Sequence, residues 1–180
     1  MNIISTSVKQ TQGIAARLAG YFKPGDVIAL IGSLGSGKTA FVKGLALGLG
    51  CSKKEVLSPT FVLMRQYQGR CLLLNHFDLY RLKDIRQLEE IGYEEYFYGE
   101  GLTAIEWADR IEKALPERSL RIEFKILDKN KRLLRFIPRG QKTAPFRARM
   151  NFCRSGIPPK ACPAACLPAG RAGGQGNPGL

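Results

Sequence analysis

The chain has 180 residues, 44% of them hydrophobic, and its 28 basic and 15 acidic residues give a net charge of +13. Its length and composition predict a soluble protein with one folded domain, and no apolar run approaches the ~18 residues of a membrane span. A single histidine excludes a histidine-based metal cluster, and five cysteines without paired spacing predict a reduced protein. Because the N-terminus lacks a signal-peptide pattern, we expect a cytoplasmic protein that makes no membrane contact.

The basic charge is unevenly distributed along the chain. Residues 139–180 hold seven of the 28 bases and none of the 15 acids, so residues 1–138 carry a net charge of +6. The same C-terminal segment holds six of the ten prolines, and such a segment buries too little apolar surface to offset its chain entropy. We therefore predict a folded domain over residues 1–138 and a disordered basic tail over 139–180, unless the tail is a reading-frame artefact. A charge of +6 permits contact with RNA, although a solvated basic surface is the simpler interpretation.

The first elements predict a strand and then a helix. Ile3 and Ile4 indicate a short edge strand, and apolar residues then recur at helical spacing between Ile14 and Phe22. The sequence Lys-Pro-Gly-Asp at 23–26 predicts a turn. The helix therefore has an apolar face that can pack against a sheet.

The strongest motif is GSLGSGKT at residues 32–39, which we call the phosphate loop. It lies between the apolar run 27–31, a predicted strand, and residues 40–49, a predicted helix, and this context favours a phosphate site over an accidental glycine-rich turn. The glycines let backbone N–H groups converge on a phosphate at the positive end of the helix. Lys38 would reach the β- and γ-phosphates, and the Thr39 hydroxyl would bind Mg²⁺. The predicted nucleotide-binding residues are Gly32, Leu34, Gly35, Ser36, Gly37, Lys38, Thr39 and Ala40.

Two acidic residues follow apolar strands further along the chain. Asp78 follows the strand that begins near residues 71–74, where an acid of the Walker-B type would hold Mg²⁺; the alternative role is a helix cap. Glu106 follows residues 103–105 and either orients the attacking water, completes the metal site, or is a surface carboxylate beside a packing Trp107. The predicted metal ligands are Thr39, Asp78 and Glu106.

Two other polar residues have more than one interpretation. Thr60 follows Pro59 in the first connection after the nucleotide helix, where many NTPases place a γ-phosphate sensor; a capping hydroxyl is the simpler role. A strand is expected at 61–64, followed by a hairpin turn at 68–70. His76 is interpreted as a partly buried histidine with satisfied hydrogen bonds.

The remaining segments predict one helix and one strand pair. Residues 84–97 indicate a single helix whose acidic side is either solvated or available to a basic partner. Residues 120–127 alternate apolar and polar side chains, and 133–137 resume the pattern after a polar turn. We expect these two strands to be antiparallel and to close the sheet on one side.

Five segments over about residues 3–137 together resemble the bacterial TsaE (YjeE) family. They are GSLGSGKTAF, SPTFVL, HFDLYRL, LEEIGYEEYF and AIEWADRI, in this order. The resemblance implies an α/β P-loop NTPase fold with a mainly parallel central sheet, antiparallel strands at its margins and helices on both faces. It also implies binding of ATP and Mg²⁺.

The same resemblance implies a role in tRNA threonylcarbamoyladenosine synthesis. The expected partners are TsaD and TsaB, which modify tRNAs reading codons that begin with A, and any contact with tRNA itself is expected to be indirect or weak. The residues that matter for nucleotide handling in that family correspond here to Lys38, Thr39, Thr60, Asp78 and Glu106. Lys38, Thr60 and Glu106 are the predicted catalytic residues.

Two positions depart from the family pattern. Ser33 stands where the family usually has an acidic residue, and Ala40 stands where it has a second threonine. Neither change removes Lys38, Thr39 or a backbone donor, so we expect altered nucleotide affinity rather than lost binding. No arginine is visibly placed as a finger, so we expect slow hydrolysis by the isolated chain. The alternatives are a small-molecule kinase and a nucleotide-gated interaction module; a GTPase is disfavoured because no N-K-x-D motif occurs.

Overall fold

A seven-stranded sheet organises the protein, whose computed structural model describes residues 1–51, 59, 62–70 and 72–140. The strands follow the spatial order β1-β7-β6-β2-β5-β4-β3. They are β1 (Asn2–Ser5), β2 (Val27–Gly32), β3 (Met64–Gln68), β4 (Leu73–Asp78), β5 (Leu102–Glu106), β6 (Leu120–Ile126) and β7 (Arg132–Pro138). The helices are α1 (Val8–Ala19), α2 (Lys38–Leu49), α3 (Arg86–Glu89) and α4 (Tyr93–Tyr98), with a 3₁₀ turn at Ala108–Ile111.

The four central strands are parallel and the marginal strands are antiparallel. β4, β5, β2 and β6 pair in parallel, whereas β3 pairs antiparallel with β4, β7 with β6, and β1 with β7. The predicted antiparallel pair of β6 and β7 is confirmed, although β1 rather than this pair forms the edge of the sheet. All parallel strands end on the same side, so the residues that follow them meet along one edge.

Helices cover both faces of the sheet, as predicted. On one face, α1 and α2 pack over a core in which Phe41 meets Phe124 edge to face, with ring centroids 5.7 Å apart. On the other face, α3, α4 and the 3₁₀ turn pack over a second core around Phe77 and Phe97, whose centroids are 5.8 Å apart. The central strands are therefore buried on both sides, which explains their nearly continuous apolar sequences.

Helices α1 and α2 approach each other closely because α2 has glycine at two contact points. A β-carbon on Gly44 would lie 2.7 Å from the β-carbon of Ala15, and one on Gly48 would lie 2.6 Å from that of Ala19. Both distances are shorter than van der Waals contact. This packing holds α2, and with it the phosphate loop, against the sheet.

We expect Gly44→Ala to lower the free energy of unfolding by about 1–3 kcal/mol, because the added methyl group overpacks the contact between α1 and α2. Urea unfolding measures the change. Gly13→Ala is the matched control, because Gly13 lies on the exposed side of α1 with no atom within 4 Å of the new methyl group. That control should gain roughly 0.5–1 kcal/mol from the better helix former. Equal stabilisation by both substitutions would contradict the close-packing account.

Two local predictions were wrong. The single helix expected at 84–97 is split into α3 and α4, because Gly92 adopts a left-handed conformation with φ of 64° and turns the chain. The strand expected at 61–64 begins only at Met64, after Leu63 with φ of 61°. Residue 61 lies outside the described residues. The turn predicted at 68–70 is confirmed by the antiparallel pairing of β3 with β4.

The last strand ends at Pro138, the boundary predicted between the folded domain and the tail. Most of the predicted tail, residues 141–180, lies outside the described residues. Among the described residues, no helix is long and apolar enough to cross a membrane.

Candidate functional site

The phosphate loop connects the end of β2 to the start of α2. Gly35 and Gly37 have positive φ angles of 73° and 105°, and Gly37 caps α2 without a side-chain hydrogen bond. The first turn of α2 contains no acidic residue. The N-terminal N–H groups of α2 therefore have neither a capping side chain nor a carboxylate competing for them, which is the arrangement that binds an anion.

Close packing at the base of the loop requires a glycine at position 32. A β-carbon on Gly32, whose φ is 154°, would lie 2.7 Å from the carbonyl oxygen of Phe124 and 2.8 Å from the Ser36 hydroxyl oxygen. Ser36 is fully buried, and its hydroxyl has no hydrogen-bond partner among the described residues. The backbone of β2 can therefore turn into the loop only because residue 32 has no side chain.

Lys38 folds back onto the loop from the first turn of α2. Its ammonium group donates to the carbonyl oxygens of Gly32, at 2.6 Å, and of Ser33, at 3.0 Å. The same nitrogen lies 3.8 Å from the centroid of the Trp107 ring, a cation–π contact. Burial lowers the pKa of Lys38, and the nearby carboxylates of Glu106, Asp78 and Asp109 only partly oppose this effect. An anion bound in the loop would favour the charged form and raise the pKa again.

Thr39, Asp78 and Glu106 come together at the carboxyl edge of the sheet. Asp78 and Glu106 are paired in the parallel register of β4 and β5, and both are almost fully buried. The Thr39 hydroxyl donates to Glu106 Oε2 at 2.8 Å. Asp78 Oδ1 accepts a hydrogen bond from the Tyr80 amide at 3.1 Å. The three predicted metal ligands thus lie close together.

This donor set fits Mg²⁺. The three side chains offer hard oxygen atoms, and Mg²⁺ is usually bound by one or two carboxylates together with water and substrate phosphates. The described residues contain no cluster of three or more His, Cys, Asp and Glu side chains suited to a metal ion. The protein thus offers part of a coordination shell, which phosphates would complete.

His76 is part of this site, contrary to its interpretation as a partly buried histidine with satisfied hydrogen bonds. The side chain is completely buried on β4, two residues before Asp78. Its Nε2 atom lies 2.8 Å from Glu106 Oε1, whereas Nδ1 has no partner among the described residues. Because an ionised carboxylate can only accept, the imidazole donates through Nε2. Both oxygens of Glu106 are thus held, one by His76 and one by Thr39.

Two aromatic residues of the site were not predicted from the sequence. Tyr80 and Trp107 both line the cleft, with ring centroids 5.1 Å apart. Trp107 adopts a left-handed conformation with φ of 59°, which is strained for a bulky residue. The available signal was their position, since Tyr80 lies two residues after Asp78 at the end of β4 and Trp107 directly follows Glu106 at the end of β5.

The predicted residues surround an open cleft of about 320 Å³. Those that line it are Leu34, Gly35, Gly37, Lys38, Thr39, Ala40, Asp78 and Glu106. Gly32 and Ser36, which also belong to the loop, do not line the cleft. Thr60 lies outside the described residues, so its predicted sensor role stays a prediction.

One known protein family is similar to this chain over most of its length. The family model described as threonylcarbamoyl adenosine biosynthesis protein TsaE matches residues 5–134. The chain belongs to the TsaE family. All the predicted site residues of this TsaE-family chain fall within the matched range.

Two bacterial TsaE proteins are similar to this chain over most of its length. The tRNA threonylcarbamoyladenosine biosynthesis protein TsaE of Bacillus subtilis (strain 168) is 42% identical over 134 residues, which cover 74% of this chain and 83% of that protein. The Treponema pallidum (strain Nichols) protein of the same name is 42% identical over 127 residues, which cover 71% and 93% of the two chains.

A solved structure confirms the TsaE fold. The crystal structure of Bacillus subtilis YdiB superposes with a TM-score of 0.71 at 32% sequence identity, covering 87% of this chain and 95% of that chain. The predicted α/β P-loop NTPase fold is therefore confirmed.

Proposed function

We propose that this chain is the ATPase of tRNA threonylcarbamoyladenosine synthesis and acts with TsaD and TsaB on tRNAs that read codons beginning with A. The supporting observation is the meeting of Lys38, Thr39, Asp78 and Glu106 at one cleft in a TsaE-family chain. We also propose a cytoplasmic location. Contact with tRNA is proposed to be indirect or weak, since the first 138 residues carry a net charge of only +6.

The phosphate loop and Lys38 would bind the triphosphate of ATP. Backbone N–H groups of residues 34–39 would donate to the phosphates, and the positive end of α2 would favour their charge. Lys38 would exchange the carbonyl oxygens of Gly32 and Ser33 for the β- and γ-phosphates, which are stronger acceptors because they are charged. Thr39 and Asp78 would hold Mg²⁺, whose charge would offset that of the phosphates during transfer.

Glu106 would then position the attacking water. When the Thr39 hydroxyl turns to the metal, Oε2 of Glu106 loses its present donor and can accept a proton from water. His76 would keep Oε1 in place through its Nε2 hydrogen bond. The water oxygen would form a bond to the γ-phosphorus as the bond to the leaving oxygen of ADP breaks. One proton of the water would pass to Glu106, and the other would stay on the released phosphate. Thr60 is proposed to report the γ-phosphate.

Hydrolysis by the isolated chain should be slow. Within the described part of the chain, no arginine side chain lines the cleft, so no arginine there offsets the charge of the transition state. In related phosphoryl-transfer enzymes an arginine supplied by a partner is worth ~10³ or more in rate. A partner protein that inserts such a group would explain why this site works within a larger assembly.

Phosphate release from Mg·ATP tests this proposal with the chain alone and with TsaD and TsaB added. We expect the partners to raise the turnover rate at least about tenfold, since a single added cation at the transition state suffices for that change. Partners mixed with the Lys38→Ala chain should release no more phosphate than partners alone. Fast hydrolysis that the partners leave unchanged would contradict the proposal. The alternative function, a small-molecule kinase, would need an acceptor metabolite and would release no free phosphate.

A further inference from the structure

A second cleft lies at the other end of the parallel strands from the nucleotide cleft described above. It has a volume of about 610 Å³ and is lined by residues of α4, of the end of β3 and around the start of β4 and β5. Because β4 spans the six residues Leu73–Asp78, roughly 17 Å of strand separates the two clefts. No described residue lines both of them. The second cleft is therefore a separate feature of the surface.

Buried hydrogen bonds fix the floor of the second cleft. Asn75 of β4 is only 2% exposed. Its Oδ1 atom accepts a hydrogen bond from Gln66 Nε2 of β3 at 3.0 Å, and its Nδ2 atom donates to Thr103 Oγ1 of β5 at 3.2 Å. The Thr103 hydroxyl in turn donates to the carbonyl oxygen of Tyr96 in α4, at 2.5 Å. Three strands and one helix are thus tied together, so the cleft keeps its shape without a ligand.

The glutamine side chains that line the second cleft present acceptors. The carboxamide nitrogen of Gln66 is used in the bond to Asn75, and that of Gln68 donates to the carbonyl oxygen of Gly69 at 3.2 Å. Both carboxamide oxygens are left as acceptors, without a donor among the described residues. The cleft therefore favours a ligand that donates hydrogen bonds.

The charged residues of the second cleft point to the same kind of ligand. Exposed carboxylates come from Glu95 in α4 and from Glu100, and Arg70 is the only base among the lining residues. Within the described part of the chain, neither carboxylate belongs to an ion pair. A lysine or arginine side chain, which only donates and carries the opposite charge, fits these acceptors.

Strand β3, which supplies Gln66 and Gln68, is an edge strand. The Asp78 N–H group donates to the carbonyl oxygen of Leu63 at 2.9 Å, and hydrogen-bonded positions alternate along an antiparallel pair. The backbone N–H and C=O groups of Gln66 and Gln68 therefore point away from β4. Among the described strands, none pairs with this outer edge. An extended segment can add to it as a further strand.

We propose that the second cleft docks an extended segment of the TsaD–TsaB assembly, with a lysine or arginine side chain of that segment inside the cleft. The backbone of the segment would pair with Gln66 and Gln68, and its basic side chain would be held by Glu95, Glu100 and the two carboxamide oxygens. Charge complementarity selects a basic occupant over an acidic or apolar one. The assignment rests on the proposed function, since it gives the partners of that function a place to bind.

Docking at this cleft leaves the nucleotide cleft accessible. One partner chain can bind beside β3 while the other reaches the bound nucleotide, because the two clefts lie at opposite ends of β4. The binding of partners and the acceleration of hydrolysis then depend on different residues of this chain.

The affinity of the full chain for TsaD–TsaB, measured by surface plasmon resonance with saturating Mg·ATP, tests this docking site. We expect Glu95→Lys to weaken the affinity about tenfold or more, because the new ammonium group repels the basic side chain of the partner. Glu94→Lys is the matched control, since it makes the same charge change at the neighbouring exposed position of α4, which does not line the cleft. Because salt screens exposed charges, that control should change the affinity less than about twofold. Neither variant should change the affinity for Mg·ATP.

Hydrogen–deuterium exchange of the same complex locates the bound segment. TsaD–TsaB should slow the exchange of the backbone amides of Gln66 and Gln68, because a strand added to β3 would accept hydrogen bonds from them. In the chain alone these two amides should exchange fast, since they point away from β4.

Every other outcome overturns the docking site. An affinity that is unchanged in Glu95→Lys, or equally reduced in Glu95→Lys and Glu94→Lys, would separate the cleft from partner binding. Slow exchange at Gln66 and Gln68 in the chain alone would show another occupant, which is a segment of the chain itself if exchange is slow at every protein concentration and a second copy if it is slow only at high concentration. If the unmutated chain does not bind TsaD–TsaB, the proposed function fails as well. Partner-stimulated hydrolysis together with unchanged affinity in Glu95→Lys would overturn the docking site alone.

Discussion

Lys38→Ala is expected to weaken the binding of Mg·ATP about 100-fold or more. Among the described residues, Lys38 is the only cationic side chain that lines the cleft, so its loss leaves the terminal phosphates without a charged donor. Removing one partner of a buried charged hydrogen bond typically costs ~2–5 kcal/mol, and each ~1.4 kcal/mol is a factor of ten in affinity. Isothermal titration calorimetry measures the change.

The lost affinity should not come from unfolding. Because burial lowers the pKa of Lys38, folding disfavours its charged form at neutral pH, and removal of the ammonium group lifts that penalty. We therefore expect Lys38→Ala to unfold at the same temperature as the unmutated chain or higher. Lys43→Ala is the matched control, since it removes an equal charge from an exposed position of the same helix. Unchanged ATP affinity in Lys38→Ala would contradict the site assignment.

The parts of the site that sequence analysis predicted are those set by local pattern. The phosphate loop could be located because its spacing, the apolar strand before it and the helix after it occupy one continuous segment. Asp78 and Glu106 could be located because each ends an apolar strand, and parallel strands end at a common edge. Chain order and strand polarity were sufficient for those predictions.

The parts that sequence analysis missed depend on register between distant segments. His76 meets Glu106 only because β4 and β5 pair with no offset between Asp78 and Glu106, which the apolar pattern of either strand does not specify. At the far side of the phosphate loop, Nη2 of Arg132 lies 3.5 Å from the carbonyl oxygen of Gly35, 97 positions away in the chain, and this contact likewise requires the register of the β6–β7 hairpin. Long-range pairing, rather than composition, decides these contacts.

The missed break in the helix predicted at 84–97 has a different cause. Apolar residues continue at helical spacing from Leu88 to Phe97, and both side chains are buried in the same core. Periodicity therefore favours one helix, whereas the left-handed conformation of Gly92 divides it. Glycine permits such a conformation without requiring it, so the pattern alone could not reveal the turn.

Glu106→Gln is expected to lower partner-stimulated ATP hydrolysis about 100-fold or more, the usual contribution of a general base. Glutamine has nearly the shape of glutamate and can still accept a hydrogen bond from His76 Nε2 or Thr39, but it cannot take a proton from water. Release of phosphate in single-turnover experiments with TsaD and TsaB measures the chemical step.

Binding of Mg·ATP should change far less than the rate, because Lys38, Thr39, Asp78 and the loop N–H groups remain. Glu112→Gln is the matched control, since it neutralises an exposed carboxylate that pairs with Arg121 outside the cleft, and it should leave both quantities unchanged. A parallel loss of ATP affinity and rate in Glu106→Gln would assign Glu106 to metal binding alone. An unchanged hydrolysis rate in Glu106→Gln would show that Glu106 takes no part in the chemical step. If Glu106→Gln still assembles with TsaD and TsaB in the presence of ATP but no longer hydrolyses it, binding of the partners is separate from the chemical step.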